Sequence, residues 1–275
     1  MSKTERSKTE RGIALVTGAS SGIGLATAKA LQRDGYRVFG TSRKPMSDTS
    51  DGITMLVCDV TDDVSVRSAV DAVLSQAGRI DLLVNNAGIG LLGAAEESSA
   101  AQVRSLFETN FHGVVRVTNA VLPTMRKQGG GRIFNLGSAL GLVPAPYGAY
   151  YSATKHAIEG YSESLDHEVR EFGVRVAVIE PAGTRTSLES NTAFSDQPLT
   201  AYDVSRAKFF MAYRRALAAA DTAESVADTI VRAARAKVPQ LHHPSGKAAR
   251  QLAFAWRFLP RSLFDWTLHK QFGLA

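Results

Sequence analysis

The amino-acid sequence predicts a doubly wound α/β domain, a parallel sheet with helices on both faces. Three observations predict it. Short β-branched runs alternate with helical stretches along most of the chain. The runs are apolar almost throughout, which suits strands buried on both faces. A glycine-rich turn follows the first run directly and opens the first helix.

The predicted strands are 13–17, 37–41, 54–58, 82–85, 132–136 and 174–180, each brief and edged by Gly or Asp. Helices are predicted at 22–34, 63–77, 98–127 (Pro123 near its end) and 151–172. After residue 180 the alternation stops. Residues 183–205 are rich in Thr, Ser, Asn and Asp and read as a long loop or a short-helix lid, with helices at 206–219 and 222–237. Residues 247–275 interleave Leu252, Phe254, Trp256, Phe258, Leu259, Leu263, Phe264, Trp266 and Leu268 with Lys247, Arg250, Arg257, Arg261 and Lys270. No linker divides the chain. One domain spans 12–240, with a substrate cover at about 184–215; residues 1–11 are a mobile tail and 241–275 an extension.

Apolar residues make up 44% and charged residues 21% of the 275, enough for one sizeable core. The single cysteine, Cys58, rules out an internal disulfide and agrees with a reducing, cytoplasmic setting. The formal charge of +6 is concentrated partly in the last thirty residues. No nucleic-acid motif accompanies it, so phosphate ligands or a membrane surface fit better than nucleic acid. The polar N-terminus predicts no secretory signal, and no apolar run is long enough to cross a bilayer. The tandem Ser2-Lys3-Thr4-Glu5-Arg6 and Ser7-Lys8-Thr9-Glu10-Arg11 reads as solvated tail.

Ligands of open α/β sheets bind beyond the carboxyl ends of the strands. After the first strand comes Thr17-Gly18-Ala19-Ser20-Ser21-Gly22-Ile23-Gly24. Its small residues let backbone N–H groups and a helix N-terminus approach a pyrophosphate, making Gly18, Ser20, Ser21, Gly22, Ile23 and Gly24 candidates. The second strand ends Gly40-Thr41-Ser42-Arg43-Lys44, with two cations and no carboxylate. An acid there would hold a ribose 2′-hydroxyl. Arg43, beside Ser42, can instead fork onto a 2′-phosphate, so NADP (NADPH) is expected in preference to NAD. Cys58-Asp59-Val60 ends the third strand. Asp59 either accepts a hydrogen bond from the adenine amino group or simply forms the turn.

Tyr151 and Lys155 stand four residues apart, so a helix puts them on one face. Ser138 closes a strand thirteen residues upstream of Tyr151. A phenol with a pKa near 10 is a poor acid or base at neutral pH, and an adjacent ammonium lowers it. Tyr147 and Tyr150 have no lysine four residues on and read as wall or packing residues.

Thr17 to Gly24, Asn85-Asn86-Ala87-Gly88, Ser138, Tyr151 with Lys155, and the segment from Glu180 to Thr186 together resemble the short-chain dehydrogenase/reductase family. The resemblance is to its single-domain branch, over roughly residues 11–240. Gly40 to Arg43 and Glu180 to Thr186 look most like its 17β-hydroxysteroid and retinol dehydrogenases. It implies a Rossmann-type fold and a catalytic tetrad in which Asn110 joins Ser138, Tyr151 and Lys155. Tyr151 would be general acid or base, and Ser138 would hydrogen-bond the substrate oxygen. Lys155 would also hold the nicotinamide ribose, and Asn110, on the long helix, a water linking Lys155 to solvent. Asn86, Ala87, Gly88, Pro181 and Gly183 would line the coenzyme, with Thr184 or Thr186, the latter preferred, at its carboxamide. Relatives commonly read Pro-Gly where this chain has Pro181-Ala182, so Gly183 is expected to take over the bend. No metal is expected. A homodimer or homotetramer built on the fourth and fifth helices is.

The pocket inventory of Leu140, Leu142, Val143, Pro144, Pro146, Tyr147, Leu188, Phe194, Phe209, Phe210 and Met211 is apolar. It points to a hydrophobic alcohol with its ketone or aldehyde, steroid-, retinoid- or lipid-like. The competing reading is a catalytically silent NADP(H)-binding sensor or scaffold. The tail is expected to pack on the domain or on a partner subunit, in preference to peripheral contact with a membrane.

Overall fold

The structure, a computed structural model, describes residues 11–46, 52–185 and 192–274. The N-terminal tandem repeat up to Glu10, Thr186 and Leu188 lie outside the described residues, whereas Arg11, expected in the mobile tail, donates its N–H to the Gly35 carbonyl at 2.9 Å because β1 begins beside it. In chain order the first half runs β1 (Gly12–Val16), α1 (Gly22–Arg33), β2 (Tyr36–Ser42), β3 (Thr54–Val57), α2 (Asp63–Ala77), β4 (Leu82–Asn85), β5 (Gly90–Leu92), α3 (Ala100–Phe107) and α4 (Gly113–Lys127). The second half runs β6 (Gly131–Leu136), α5 (Ala149–Val169), β7 (Val174–Pro181), β8 (Thr184–Arg185), β9 (Thr192–Phe194), α6 (Asp203–Ala218), β10 (Asp221–Thr222), α7 (Ala223–Arg235), β11 (His242–Ser245), α8 (Gly246–Phe258) and α9 (Arg261–Phe272).

Seven strands form one parallel sheet in the order β11-β7-β6-β4-β1-β2-β3. The chain builds outward from β1 in one direction through β2 and β3, then returns to build the other half from β4. The carboxyl ends of β1 and β4 therefore diverge, and a crevice opens between the loops that follow them. Successive strand residues serve opposite layers, as a pleat demands. Ile13, Leu15, Leu83, Ile133 and Val176 face α2, α4 and α5. Ala14, Val16, Leu82, Val84, Phe134 and Ile179 face α1 and α7. Each fully buried Leu, Ile or Phe stabilises the fold by ~1.5–3 kcal/mol, so the two apolar layers hold the crevice rigid from both sides.

Besides the short strands β5, β8, β9 and β10, which the sequence does not present, two larger differences separate structure from expectation. The helix expected over 98–127 is interrupted by a π-turn at Glu108–His112, between α3 and α4. Such single wide turns re-aim a side chain, here that of Asn110, which is buried. The sheet also has a seventh strand, β11, within what the sequence presents as an extension. Its residues His242-His243-Pro244-Ser245 have no apolar run to betray it. Pro244 is admissible because β11 is an edge, where one side of the ladder needs no donor. Beyond it Pro260 ends α8 and starts α9, as its missing N–H requires.

Candidate active site

The loop after β1 and the loop after β4 are bolted together at the crevice. The Thr17 hydroxyl accepts from the N–H groups of Asn86 (2.9 Å) and Ala87 (3.0 Å), while Asn86 Nδ2 donates to the carbonyls of Thr17 (2.9 Å) and Gly18 (3.1 Å). Backbone approach here leaves no room for side chains. A Cβ on Gly24 would lie 2.2 Å from the Gly18 carbonyl oxygen, and Gly18 itself has φ +65°. Helix α1 begins with no side-chain cap and no acidic residue in its first turn, so the positive end of the helix faces the crevice. Ser20 is exposed, Ser21, Gly22 and Ile23 are half-buried, and Gly88 faces Asn110. These residues fit a dinucleotide pyrophosphate: the cradle is one that a Cβ would fill.

At the end of β2, Arg43 and Lys44 are exposed and Ser42 is buried, its hydroxyl accepting from Lys44 N at 3.3 Å. Asp59 makes a turn: its Oδ1 accepts from Thr61 N (2.9 Å) and Thr61 Oγ1 (2.8 Å). The Thr61 N–H, chiefly, and the nearby Arg43 guanidinium hold its carboxyl below the usual range. Val60 is buried, and its carbonyl accepts from Arg116 Nη1 at 2.7 Å.

Ser138 and the Tyr151–Lys155 pair meet at the carboxyl end of β6. The Ser138 hydroxyl accepts from Leu140 N (3.1 Å) and leans toward the Pro181 carbonyl (3.5 Å). Burial pushes the Tyr151 phenol up to about 12, and the Ser138 hydroxyl beside it pulls the other way. Burial brings the Lys155 ammonium down to about 8, against the pull of Glu159 one turn further along α5. Lys155 Nζ donates to the Leu136 carbonyl at 2.6 Å and stands 5.7 Å from the Tyr151 ring centroid. The lowering of Tyr151 by Lys155 that their spacing suggests does not arise in this geometry. A buried ammonium has taken the nearest open carbonyl, at the strand end.

Asn110 acts as a miniature strand. Its Oδ1 accepts from Ile89 N and its Nδ2 donates to Ile89 O, both at 2.9 Å, with Thr154 Oγ1 at 3.3 Å. Pro181 is buried and Ala182 half-buried; Gly183 and Thr184 follow without a left-handed residue. The chain does bend at Gly183, but without a positive φ, and Thr184 and Arg185 then continue extended as β8 against β10.

Behind Lys155 lies a cluster that the sequence does not announce. Glu159, Glu180 and His242 bring ligand-type atoms within 4.8 Å of one another, a set able to hold a cation. His242 Nδ1 is 2.7 Å from Glu180 Oε1 and 3.5 Å from Glu159 Oε2. The two carboxylates raise the imidazole to about 10, so the imidazolium itself fills the place of a cation. Burial raises Glu159. Glu159, Glu180 and His242 come from α5, β7 and the edge strand β11; the β7–β11 register and the packing of α5 on the sheet join them.

The substrate side is closed by β9 and α6. An apolar cleft of about 530 Å³ lies between Leu92, Phe194, Phe210, Met211 and Tyr213, with Arg214 at its edge. Tyr213 stands close enough to Tyr151 to add to the rise of its pKa, so the cleft adjoins the phenol. Of the apolar inventory, Phe209 and Val143 are buried in packing rather than lining this cleft. Tyr147, at φ 57°, is held by a hydrogen bond from its hydroxyl to Ser205 Oγ (2.6 Å) and by Phe209 at 4.9 Å between centroids. The cover is latched by Glu97, a fully buried carboxylate. It accepts from Ala94 N (3.0 Å) and Leu199 N (2.8 Å) and pairs with Arg206. Sequence reasoning missed Glu97, Tyr213 and Arg214; none sits in a local pattern.

Residues 12–196 match the family model described as short chain dehydrogenase. Over 184 residues the chain is 46% identical to the 3-ketodihydrosphingosine reductase of Bacteroides thetaiotaomicron, covering 67% of this chain and 68% of that one. A short-chain dehydrogenase structure from Streptomyces avermitilis superposes with a TM-score of 0.80 at 33% identity, covering 93% of this chain and 97% of that one. Two further structures carry coenzymes. The 3-ketoacyl-(acyl-carrier-protein) reductase of Brucella melitensis, with NADH, is 26% identical (TM-score 0.69; 81% of this chain, 90% of that one). An actinorhodin polyketide ketoreductase variant, with NADPH, is 30% identical (TM-score 0.68; 80% and 89%).

Proposed function

This chain belongs to the short-chain dehydrogenase family and is an NAD(P)-dependent oxidoreductase; we propose that it uses NADP(H) to interconvert a hydrophobic alcohol and its ketone or aldehyde. The observation that carries the proposal is the convergence of Ser138, Tyr151 and Lys155 beside an apolar cleft. When bound, the nicotinamide supplies or accepts the hydride. The residues of the chain handle the proton and the geometry.

In the direction of reduction, Tyr151 donates its phenolic proton to the substrate oxygen, and Ser138 Oγ holds that oxygen. A phenol raised to about 12 keeps its proton at neutral pH, as a donor must. For oxidation the phenol must become a base. Lys155, brought down to about 8 and resting on the Leu136 carbonyl, would stabilise the phenolate if its ammonium turned toward it, and would hold the nicotinamide ribose of a bound coenzyme. Asn110, clamped by Ile89, holds the π-turn against Thr154 and is the site for a water that reconnects Lys155 with solvent.

The coenzyme preference rests on Arg43 and Lys44 at the end of β2, with no carboxylate at that strand end. Gly18 to Gly24, Asn86 to Gly88, Val60, Pro181, Gly183 and Thr184 are proposed to line the coenzyme, with Asp59 serving the turn. Apolar lining and the similarity to an enzyme named for a ketosphingoid substrate support a lipid-like ketone. A cytoplasmic homo-oligomer joined across α4 and α5 completes the reading.

Tyr151→Phe is expected to lower turnover of a ketone panel at least ~10³-fold while NADPH binding, followed by fluorescence titration, stays within about twofold. Undiminished reduction by that variant overturns the reading, and NADPH binding without any oxidation by the wild type identifies a sensor instead. Arg43→Ala should weaken NADPH about tenfold or more and leave NADH nearly unaffected. Equal losses remove Arg43 as the 2′-phosphate ligand.

A further inference from the structure

Helices α8 and α9 each bury one face and turn a second, also apolar, face outward. On α8 Ala249 points into the molecule, while Phe254 and Phe258, one turn apart, are 65% and 63% exposed. On α9 Phe264 points inward, while Leu263 and Trp266 are 45% and 57% exposed. Leu259 lies exposed in the bend between the two helices. Single exposed apolar side chains are ordinary, but a contiguous set of large ones marks a surface meant to be covered.

The charges around these side chains say what covers them. At 100° per residue, Lys247, Arg250 and Arg257 fall on the same side of α8 as Phe254 and Phe258. All five are exposed. The guanidinium of Arg257 stands 5.8 Å from the Phe258 ring centroid, and the ammonium of Lys270 stands 4.9 Å from that of Trp266. Asp265 is the sole acid in 246–274. A second copy of this face would set cations against cations with almost nothing to pair them, which disfavours self-association. Aromatic rings among cations suit the boundary of an anionic bilayer: the rings enter at headgroup depth and the cations meet phosphates. Among the described residues no helix is long and apolar enough to cross a membrane; a contact of this kind lies in the plane of the surface.

The placement joins this face to the substrate cleft. Phe272 of α9 packs on Phe209 of α6 at 5.1 Å between centroids, and the next residues of α6, Phe210 and Met211, line the cleft. We propose that the outward faces of α8 and α9 form a docking surface for an anionic lipid bilayer, holding the mouth of the cleft at the membrane. The surface itself stands without any assumption about catalysis. Its relevance to substrate delivery rests on the proposed lipid-like ketone.

The test is sedimentation of the full chain with vesicles of phosphatidylcholine alone or mixed with phosphatidylglycerol. Partitioning into the mixed vesicles should exceed that into phosphatidylcholine at least about tenfold and fall steeply as salt is raised. Phe254→Ser combined with Phe258→Ser, and separately Arg257→Gln combined with Arg250→Gln, should each cut it about tenfold. All four positions are exposed, so melting temperature and NADPH binding should be unchanged. No association with mixed vesicles at low salt overturns the proposal. So does a fall in oligomeric mass by light scattering in the variants, which would assign the face to a second copy. Neither outcome touches the catalytic reading, because lipid binding is measured without turnover.

Discussion

The two sides of the crevice are built by opposite means. On the coenzyme side backbone meets backbone: Gly24 against the Gly18 carbonyl and Gly18 against the Ala87 Cα, with no space for another carbon. On the substrate side, long side chains reach across some hundred residues of sequence. Glu97 grips Leu199 and Arg206, Ser99 holds Asp196, and Gln102 Nε2 donates to the Phe194 carbonyl at 2.9 Å. The difference suits the ligands proposed above. A pyrophosphate is recognised by N–H groups brought close, and only small residues permit that approach. The apolar substrate proposed above would be recognised by shape, which side chains on the cover can alter without disturbing the sheet.

The sharpest way to break this contrast is Gly24→Ala. The added Cβ would stand 2.2 Å from the Gly18 oxygen and 2.4 Å from Asn86 Nδ2, so α1 must back away from the loop. Loss of about 3 kcal/mol is expected in urea unfolding, together with loss of coenzyme binding. A variant of normal stability and affinity would show that the cradle is softer than its contacts.

Glu97→Ala strikes the other side. It strips Arg206, Leu199 N and Ala94 N of their shared acceptor, for about 2 kcal/mol of local stability. The expected result is faster amide exchange through 192–218 and a raised KM for the ketone, with the coenzyme dissociation constant unmoved. A parallel fall in coenzyme affinity would mean that the two sides are coupled. The Glu97 carboxyl is held below the usual range by Leu199 N, Arg206 and Ala94 N, against its burial. Its contribution is therefore full above the ordinary glutamate pKa of about 4.3 and is lost as pH falls through the lower folded value.

The smallest effect is expected behind both sides, at His242 on the edge strand β11. Its pKa is raised to about 10 by Glu159 and Glu180, so the stability it lends is complete below its ordinary value of 6.5 and is lost as pH rises toward 10. Urea midpoints measured across that window should decline for the wild type and flatten for His242→Gln. An unaltered slope would detach His242 from the cluster.

Much of the coenzyme side was legible in the sequence because it is local. The glycine spacing, the strand end at Arg43 and the Tyr151–Lys155 interval are set by neighbours within one turn of helix or one loop. The strands with apolar runs were legible too, whereas β11 was hidden because an edge strand of His, His, Pro and Ser carries no period. Asn110 was found only through family resemblance, and its π-turn was not foreseen, since a five-residue widening leaves no trace in an amphipathic pattern. Glu97 and Glu159 carry no local signal that sets them apart, yet both are buried.

By itself, then, the sequence determined the doubly wound architecture, the glycine cradle and the spacing of Tyr151 with Lys155, since backbone geometry converts short intervals directly into direction. Only the tertiary structure decided that Lys155 leans to Leu136, that Glu97 locks the cover, and that Glu159, Glu180 and His242 converge. Those outcomes depend on sheet register and on burial, which withdraws solvent from a charge and leaves it to find whatever partner the fold brings near.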